Sequence, residues 1–225
     1  MLFSRSSEEE SLAKSIISSK RSINNKKLAH SLISRSIKVA KQSDLPFYFW
    51  DERKQVGETF GEKLANAIEA TFQNGYQKVI VIGNDCPQLK YQNILEAKNA
   101  LQKNDVVLAP TPKGGTYLIG LSQHSFNKKE FALVSWQKTS TYEDLISHFS
   151  PFTLAQFSLL DDVNNFIDLQ KQINHLSQTD TLRCLAQSMF ASLQKFLKHI
   201  QHQPSGFILR NFFGLTAPPH SSLLF

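Results

Sequence analysis

The chain has 225 residues, 41% hydrophobic and 20% charged, with 25 Lys and Arg against 19 Asp and Glu for a formal charge of +6. These proportions exclude a disordered or fibrous chain and suit one sizeable globular domain. Two cysteines, Cys86 and Cys184, are too few and too far apart for a disulfide framework or a zinc site, which makes a reducing compartment the default.

In chain order, residues 1–5 read as a very short opening strand. No apolar run follows MLFSRSSEEE, so no signal peptide is expected. No stretch reaches the roughly 18 apolar residues of a membrane span, and the cytoplasm is the expected location. Residues 7–20 form a helix candidate, with Ser7 placed to cap it and Glu8, Glu9 and Glu10 in its first turn, where negative charge suits the helix dipole. Asn24 or Asn25 is placed to cap a second helix, whose Leu28, Leu32, Ile33, Ile37 and Ala40 recur at helical spacing. Lys20, Arg21, Lys26 and Lys27 are the nearest thing to a basic cluster and read as a solvated helix boundary. The net positive charge suits an anionic partner such as a nucleotide phosphate, whereas nucleic acid is not an expected partner. Residues 46–50 are apolar and aromatic, more strand than helix.

Residues 59–73 carry a helical stripe of Phe60, Leu64, Ala67, Ile68 and Phe72, stopped by Asn74-Gly75. KVIVI at 78–82 predicts a strand covered on both faces, as in a parallel sheet. A helix at 93–103 and a strand at 105–109 (DVVLA) complete a strand–helix–strand unit, expected to cross over right-handed. Further strands are predicted at 116–121 and within 151–160, and further helices at 141–149 and from Asp161-Asp162 to about 173. Residues 181–200 form a long amphipathic helix. Its Leu182, Leu185, Met189, Leu193, Phe196 and Ile200 suit either a helix laid on the domain or a homodimer seam. From Gln203 the chain is apolar and broken by Pro and Gly, and a tail of this kind is expected to dock on the domain or on a second subunit.

Several residues fall where chemistry is expected. Open α/β sheets bind ligands beyond the carboxyl ends of their strands. Asp85 follows KVIVIGN at such an end. It suits either a Mg²⁺ or Mn²⁺ ligand facing a diphosphate or a cap for the following turn. Gly114-Gly115, just before a strand, suits either close backbone approach to a sugar or base or a tight turn. Gln55-Val56-Gly57 and Gly61-Glu62-Lys63 surround a helix start, and helix N-termini attract anions such as phosphate, although Glu58 and Glu62 oppose one there. Asp161-Asp162 suits either a second metal carboxylate or an N-cap. His199 and His202 are three apart with no third ligand near in sequence and read as a solvated pair.

The succession QVGETFGEKLANAIEATFQNGYQKVIVIGNDCPQL, DVVLAPTPKGGTYLIGL, VSWQ and LLDDVNNFIDL resembles a bacterial group of GT-A-like proteins, either uncharacterised or regarded as glycosyltransferases, and similar in fold to the molybdenum-cofactor and phospholactate guanylyltransferases. The resemblance spans about residues 55–169, and the opening LFSRS, with Arg5, is compatible. It implies a nucleotide-diphospho-sugar-transferase fold: an α/β three-layer arrangement with a mostly parallel mixed sheet flanked by helices, over residues 1–173. Residues 174–225 would then be a C-terminal helical extension. It further implies Asn84 and Asp85 at the nucleotide site, with Asp162 as a second carboxylate for Mg²⁺ or Mn²⁺. Gly114, Gly115 and Tyr117 would form the wall facing acceptor or sugar, with Trp136 nearby. Arg5, Gln55 and Gly57 would contact nucleotide or substrate.

Three departures from the group's pattern bear on activity. The usual basic, Gly-containing phosphate loop is SSEEESLAKS here, with only Lys14 to stand in. The usual Asp before the paired glycines is Lys113. The late Asp-Val-Asp is Asp162-Val163-Asn164. Two functions are therefore expected from the sequence: a glycosyltransferase or nucleotidyltransferase using a nucleotide or nucleotide-sugar donor with a divalent metal, or a catalytically degenerate binding or scaffolding protein on the same fold.

Overall fold

The structure, a computed structural model, describes residues 1–17 and 22–201, with side chains as far as Lys195 in the last helix. The elements in chain order are β1 (Leu2–Phe3), α1 (Ser7–Ala13), α2 (Ile23–Gln42), β2 (Phe49–Trp50), α3 (Phe60–Gln73), β3 (Lys78–Ile82), α4 (Tyr91–Ala100), β4 (Val106–Pro110), β5 (Thr116–Ser122), a 3-10 turn (Gln123–Ser125), α5 (Lys128–Ala132), α6 (Thr141–His148), β6 (Leu154–Gln156), α7 (Phe166–Ile173) and α8 (Thr181–Gln201). The strands form one mixed sheet of order β2-β1-β3-β5-β4-β6. β1 pairs parallel with β2 and β3, and β4 pairs parallel with β6, while β5 runs antiparallel between β3 and β4. Five strands thus share one direction, and their carboxyl ends open on the same edge of the sheet.

The two-residue period of the strands divides the core into two faces. Phe3, Val79, Val81, Val106, Leu108, Ile119 and Leu121 face one side and pack with Leu64 and Ile68 of α3, Phe131 of α5 and Leu145 of α6. Leu2, Ile82, Val107, Ala109 and Leu118 face the other and pack with Val39 and Ala40 of α2 and Ile94 and Ala97 of α4. The arrangement is the expected three-layer α/β fold. A third cluster joins Ile16, Ile17, Leu28 and Leu32 to Leu169 and Ile173 of α7 and Leu182, Ala186 and Met189 of α8. The first half of the α8 stripe is therefore buried in its own chain, and Leu193 beyond it is half-buried. Phe196, Ile200 and His199 lie beyond the described side chains, and His202 and the apolar tail lie outside the described residues. Among the described residues no helix is long and apolar enough to cross a membrane.

Local chemistry explains most boundaries. Thr59 accepts from the Glu62 backbone N–H while the Glu62 carboxylate accepts from that of Thr59, a capping box that starts α3. Gly75 at φ +90° ends α3, as the Asn-Gly pair predicts. Elsewhere the expected boundaries shift. Ser6, not Ser7, caps α1, and the helix stops at Ala13 rather than running to 20. The side chain of Asn25 stops it: its amide donates to the carbonyls of Ser11 and Lys14 (2.8 and 2.5 Å), and its Oδ1 accepts from Ile16 N–H at 2.9 Å. Asn25 is thus a buried clamp inside α2, and Ser22 is that helix's cap. α7 begins at Phe166 with Asn165 as its cap, so Asp161-Asp162 does not start a helix. The chain there stays non-helical because Val163 is fully buried and donates its N–H to the carbonyl of Asp85 at 2.7 Å.

Candidate functional site

The carboxyl ends of β1, β3 and β4 lie on one edge of the sheet, with the start of β5 between the last two, and the turns that leave them line a cleft of about 730 Å³. Of the residues singled out in the sequence, Arg5, Lys14, Gln55, Asn84, Asp85, Lys113, Gly115, Tyr117, Trp136 and Asp162 line this one cleft. Gly57 and Gly114 do not. Gly57 packs against Glu62 at the start of α3. Gly114, at φ +76°, lies so close to Thr139 that a Cβ there would stand 1.7 Å from the Thr139 carbonyl oxygen. The paired glycines are therefore split in role: Gly115 faces the cleft, and Gly114 lets the 132–141 segment close against the β4–β5 turn.

The floor of the cleft is a chain of alternating charges. Arg5 Nη1 lies 3.4 Å from Glu10 Oε2, Lys14 Nζ lies 3.4 Å from Glu10 Oε1, and Lys14 Nζ donates to Asp85 Oδ2 at 2.9 Å. Glu10 is 4% exposed, so this carboxylate is a buried bracket between two cations rather than a solvated charge of an acidic helix. Burial works against the charge on Lys14, but the Asp85 and Glu10 carboxylates outweigh it and hold the ammonium above its ordinary pKa.

Asp162 comes to the same cleft on the extended 161–164 segment, and its Oδ2 accepts from the Asn164 amide at 2.5 Å. Lys113, which stands where the resemblance leads one to expect an acid, reaches Asp168 Oδ2 at 2.6 Å. Asp168 also accepts from Asn164 N–H at 3.0 Å. Burial of Asp168 would raise its pKa, yet the Lys113 ammonium and the Asn164 and Asn165 N–H groups hold it below the usual carboxylate value. The pair pins the β4–β5 turn to the start of α7 across the mouth of the cleft.

The neutral wall is largely committed. Gln55 donates its amide to the carbonyls of Ser4 and Trp50, both at 2.9 Å, and so ties the ends of β1 and β2 together. The Tyr117 hydroxyl donates to Ser158 O at 3.0 Å, and burial pushes its pKa up to about 12. Trp136 donates to Phe131 O at 3.0 Å and lies against Phe60 and Phe131, with ring centroids 5.6 and 4.9 Å apart. Cys86 is buried, and burial drives its thiol pKa well up, as expected of a core residue rather than a nucleophile. The exception is Asn84. It is 7% exposed, lines the cleft, and its amide nitrogen, closed to solvent, has no hydrogen-bond partner among the described residues. A buried unpaired donor costs roughly 1–3 kcal/mol.

Glu10 and Lys138, which also line the cleft, were missed in the sequence, and Asn164 was marked there only as a departure from a pattern. Glu10 was legible in principle, because it stands four residues before Lys14 on one helical face. Lys138 carried no local signal, whereas Lys63 stands at the helix start that the sequence marked; among the described residues neither lysine has a carboxylate within ion-pair distance.

A family model described as an uncharacterized protein conserved in bacteria (DUF2064) matches residues 30–138. No curated protein matches the chain. Among solved structures, a protein of Desulfovibrio desulfuricans G20 described as a "putative nucleotide-diphospho-sugar transferase" superposes with a TM-score of 0.71 at 19% identity, covering 87% of this chain and 96% of that one. Rv0371c from Mycobacterium tuberculosis H37Rv aligns with a TM-score of 0.44 at 12% identity, over 63% of this chain and 82% of its own. HddC from Yersinia pseudotuberculosis aligns at 0.34 and 17%, over 63% and 73%. Residues 30–138 thus match the model of this bacterial family, and the chain shares the fold of the Desulfovibrio protein.

Proposed function

We propose that the cleft is the donor site of a transferase that moves a glycosyl or nucleotidyl group from a nucleotide or nucleotide sugar. The observation that carries this reading is the unpaired, buried Asn84 amide beside the Arg5–Glu10–Lys14–Asp85 chain, at the carboxyl ends of parallel strands. Open α/β sheets bind their ligands at such a place. The uncommitted Lys63 and Lys138 suit the negative charge of donor phosphates. In the transfer, a nucleophile of the acceptor attacks the donor's anomeric carbon or α-phosphorus. The bond to the leaving phosphate breaks, and negative charge grows on that phosphate. Arg5 and Lys14, fixed by the buried Glu10 carboxylate, stabilise that charge with little reorganisation. The Desulfovibrio protein's description supports the same class. A nucleotide donor and two free cysteines also suit the cytoplasm.

A divalent ion fits these residues incompletely. Of the carboxylates that line the cleft, Asp85 and Asp162 are the two expected to hold it, but Asp85 Oδ2 accepts from Lys14 and Asp162 Oδ2 from Asn164. Among the described residues no three His, Cys, Asp or Glu side chains are grouped to hold a metal. No step is therefore routed through an ion.

A second reading, binding without turnover, is favoured by one observation: Lys113, in place of an acid, is spent on Asp168. Melting curves with a panel of nucleoside triphosphates, diphosphates and nucleotide sugars, with and without Mn²⁺, test the donor site, since a ligand of the folded state raises the midpoint by mass action. The expected result is a rise for one nucleotide class that Asn84→Ala diminishes. No rise with any nucleotide would reject the reading, and binding without transfer to any acceptor would favour the second.

A further inference from the structure

Resting on the donor-site reading above, we infer that Lys14 is the resident counter-cation of the cleft: its ammonium occupies the place beside Asp85 that a divalent ion would take, and a nucleoside diphosphate binds against it without metal. Asp85 is already engaged. Its Oδ2 accepts from Lys14 Nζ at 2.9 Å, and the same nitrogen lies 3.4 Å from Glu10 Oε1. An ion bound at Asp85 would have to displace an ammonium that two carboxylates bracket. Glu10, 5% exposed at its side chain, is itself fixed between Lys14 and Arg5.

The geometry also leaves Lys14 able to serve a phosphate. An ammonium has three N–H donors, and Asp85 and Glu10 use two. The third is open to the cleft, where the Lys14 side chain keeps 21% of its surface exposed. The unpaired Asn84 amide adds a neutral donor one residue from Asp85. A phosphate oxygen would thus find the Lys14 ammonium at the end of β3, with the Asn84 amide, closed to solvent as the cleft stands, behind it.

Arg5 and Lys14 are matched by Glu10 and Asp85, so this cluster carries no net charge. Lys63 and Lys138 line the same cleft with no carboxylate within ion-pair distance among the described residues, but Glu52, Glu58 and Asp162 line it too, so the cleft has no overall cationic excess and the hold on the anion rests on the fixed position of the Lys14 ammonium. The departure that looked disabling in the sequence, Lys14 without its usual basic and glycine-bearing loop, becomes a substitution of one kind of cation for another.

Calorimetric titration of the full chain with ADP, GDP, UDP and CDP, each in excess EDTA and again with Mn²⁺, tests this directly. The wild-type comparison needs no variant: the expected result is binding of one diphosphate with closely similar affinity in both conditions. Lys14→Met is expected to weaken binding in EDTA by roughly 10- to 100-fold, as the loss of one charge-assisted hydrogen bond implies, with Lys14→Arg recovering most of it. Binding that appears only with Mn²⁺, or that Lys14→Met leaves unchanged, would overturn the role of Lys14 while the donor site stands. No binding in either condition would remove both proposals.

Discussion

Replacing Gly114 with alanine tests whether this residue belongs to the substrate wall, as the sequence suggests, or to the scaffold, as the structure has it. Its φ of +76° is left-handed, which costs an L-residue roughly 1–2 kcal/mol. The added Cβ would also meet the Thr139 carbonyl at 1.7 Å, with the Thr139 backbone behind it. Overpacking of this kind costs about 1–3 kcal/mol, giving a total of ~2–5 kcal/mol. Gly75 supplies the control: it has φ +90°, but nothing lies within 4 Å of the point a Cβ would occupy, so only the backbone cost applies. For a chain of this size each kcal/mol lowers the melting temperature by about 2–4 °C. Gly75→Ala should therefore lose ~2–8 °C and Gly114→Ala ~4–20 °C. Urea denaturation of the two variants at equal protein concentration gives the difference. Equal destabilisation of the two would refute the close approach, and with it the assignment of Gly114 to the scaffold.

Other substitutions probe the layers in turn. Phe131 is fully buried and touches Phe126, Trp136, His148 and Phe149, so Phe131→Ala should cost roughly 3–5 kcal/mol in a denaturant titration; a loss under ~1 kcal/mol would contradict its place in the core. Thr59→Ala removes one half of the capping box of α3 and should cost about 1 kcal/mol, with Thr59→Ser close to wild type. Asp168→Asn should change stability at neutral pH by less than ~1 kcal/mol, because Lys113 is half exposed and its pairing is screened. Its pH signature is sharper. The folded-state pKa of Asp168 lies below the free value of 3.8, so its stabilisation is present above that value and is lost as pH falls through the depressed one. The gap between wild type and Asp168→Asn should therefore close on acidification from pH 5, as followed by urea midpoints; a gap that widens would have the wrong sign.

The fold was legible where the chemistry is local. KVIVI and DVVLA are short apolar runs between turn signals, and the α3 stripe ends on Asn-Gly, so the sheet and its main helix followed from spacing alone. The five-residue α5 and the 3-10 turn were not legible, since elements so short show no periodicity. α1 ends early because of Asn25, which clamps Ile16 from nine positions on in sequence. The sequence picked out many of the residues that line the cleft, but not their pairings. The end of β3 marked Asn84 and Asp85, yet Lys14 meets Asp85 across 71 positions and Lys113 meets Asp168 across 55. Such partners depend on tertiary closure, and a reading of local pattern could see a misplaced lysine without seeing the carboxylate that accounts for it.

The most direct test of a donor site in this cleft is to locate a bound nucleotide. Photolabelling of the full chain with an azido-nucleotide, followed by peptide mapping and competition with the unmodified nucleotide, reads the position without assuming a reaction. The expected result is saturable labelling of peptides that carry Lys14, Asn84 and Asp85, and Asp162, the residues the fold gathers at the cleft. Saturable labelling confined instead to the separate apolar cavity at the other end of β3, lined by Phe47, Tyr48, Ile94 and Leu101, would contradict it.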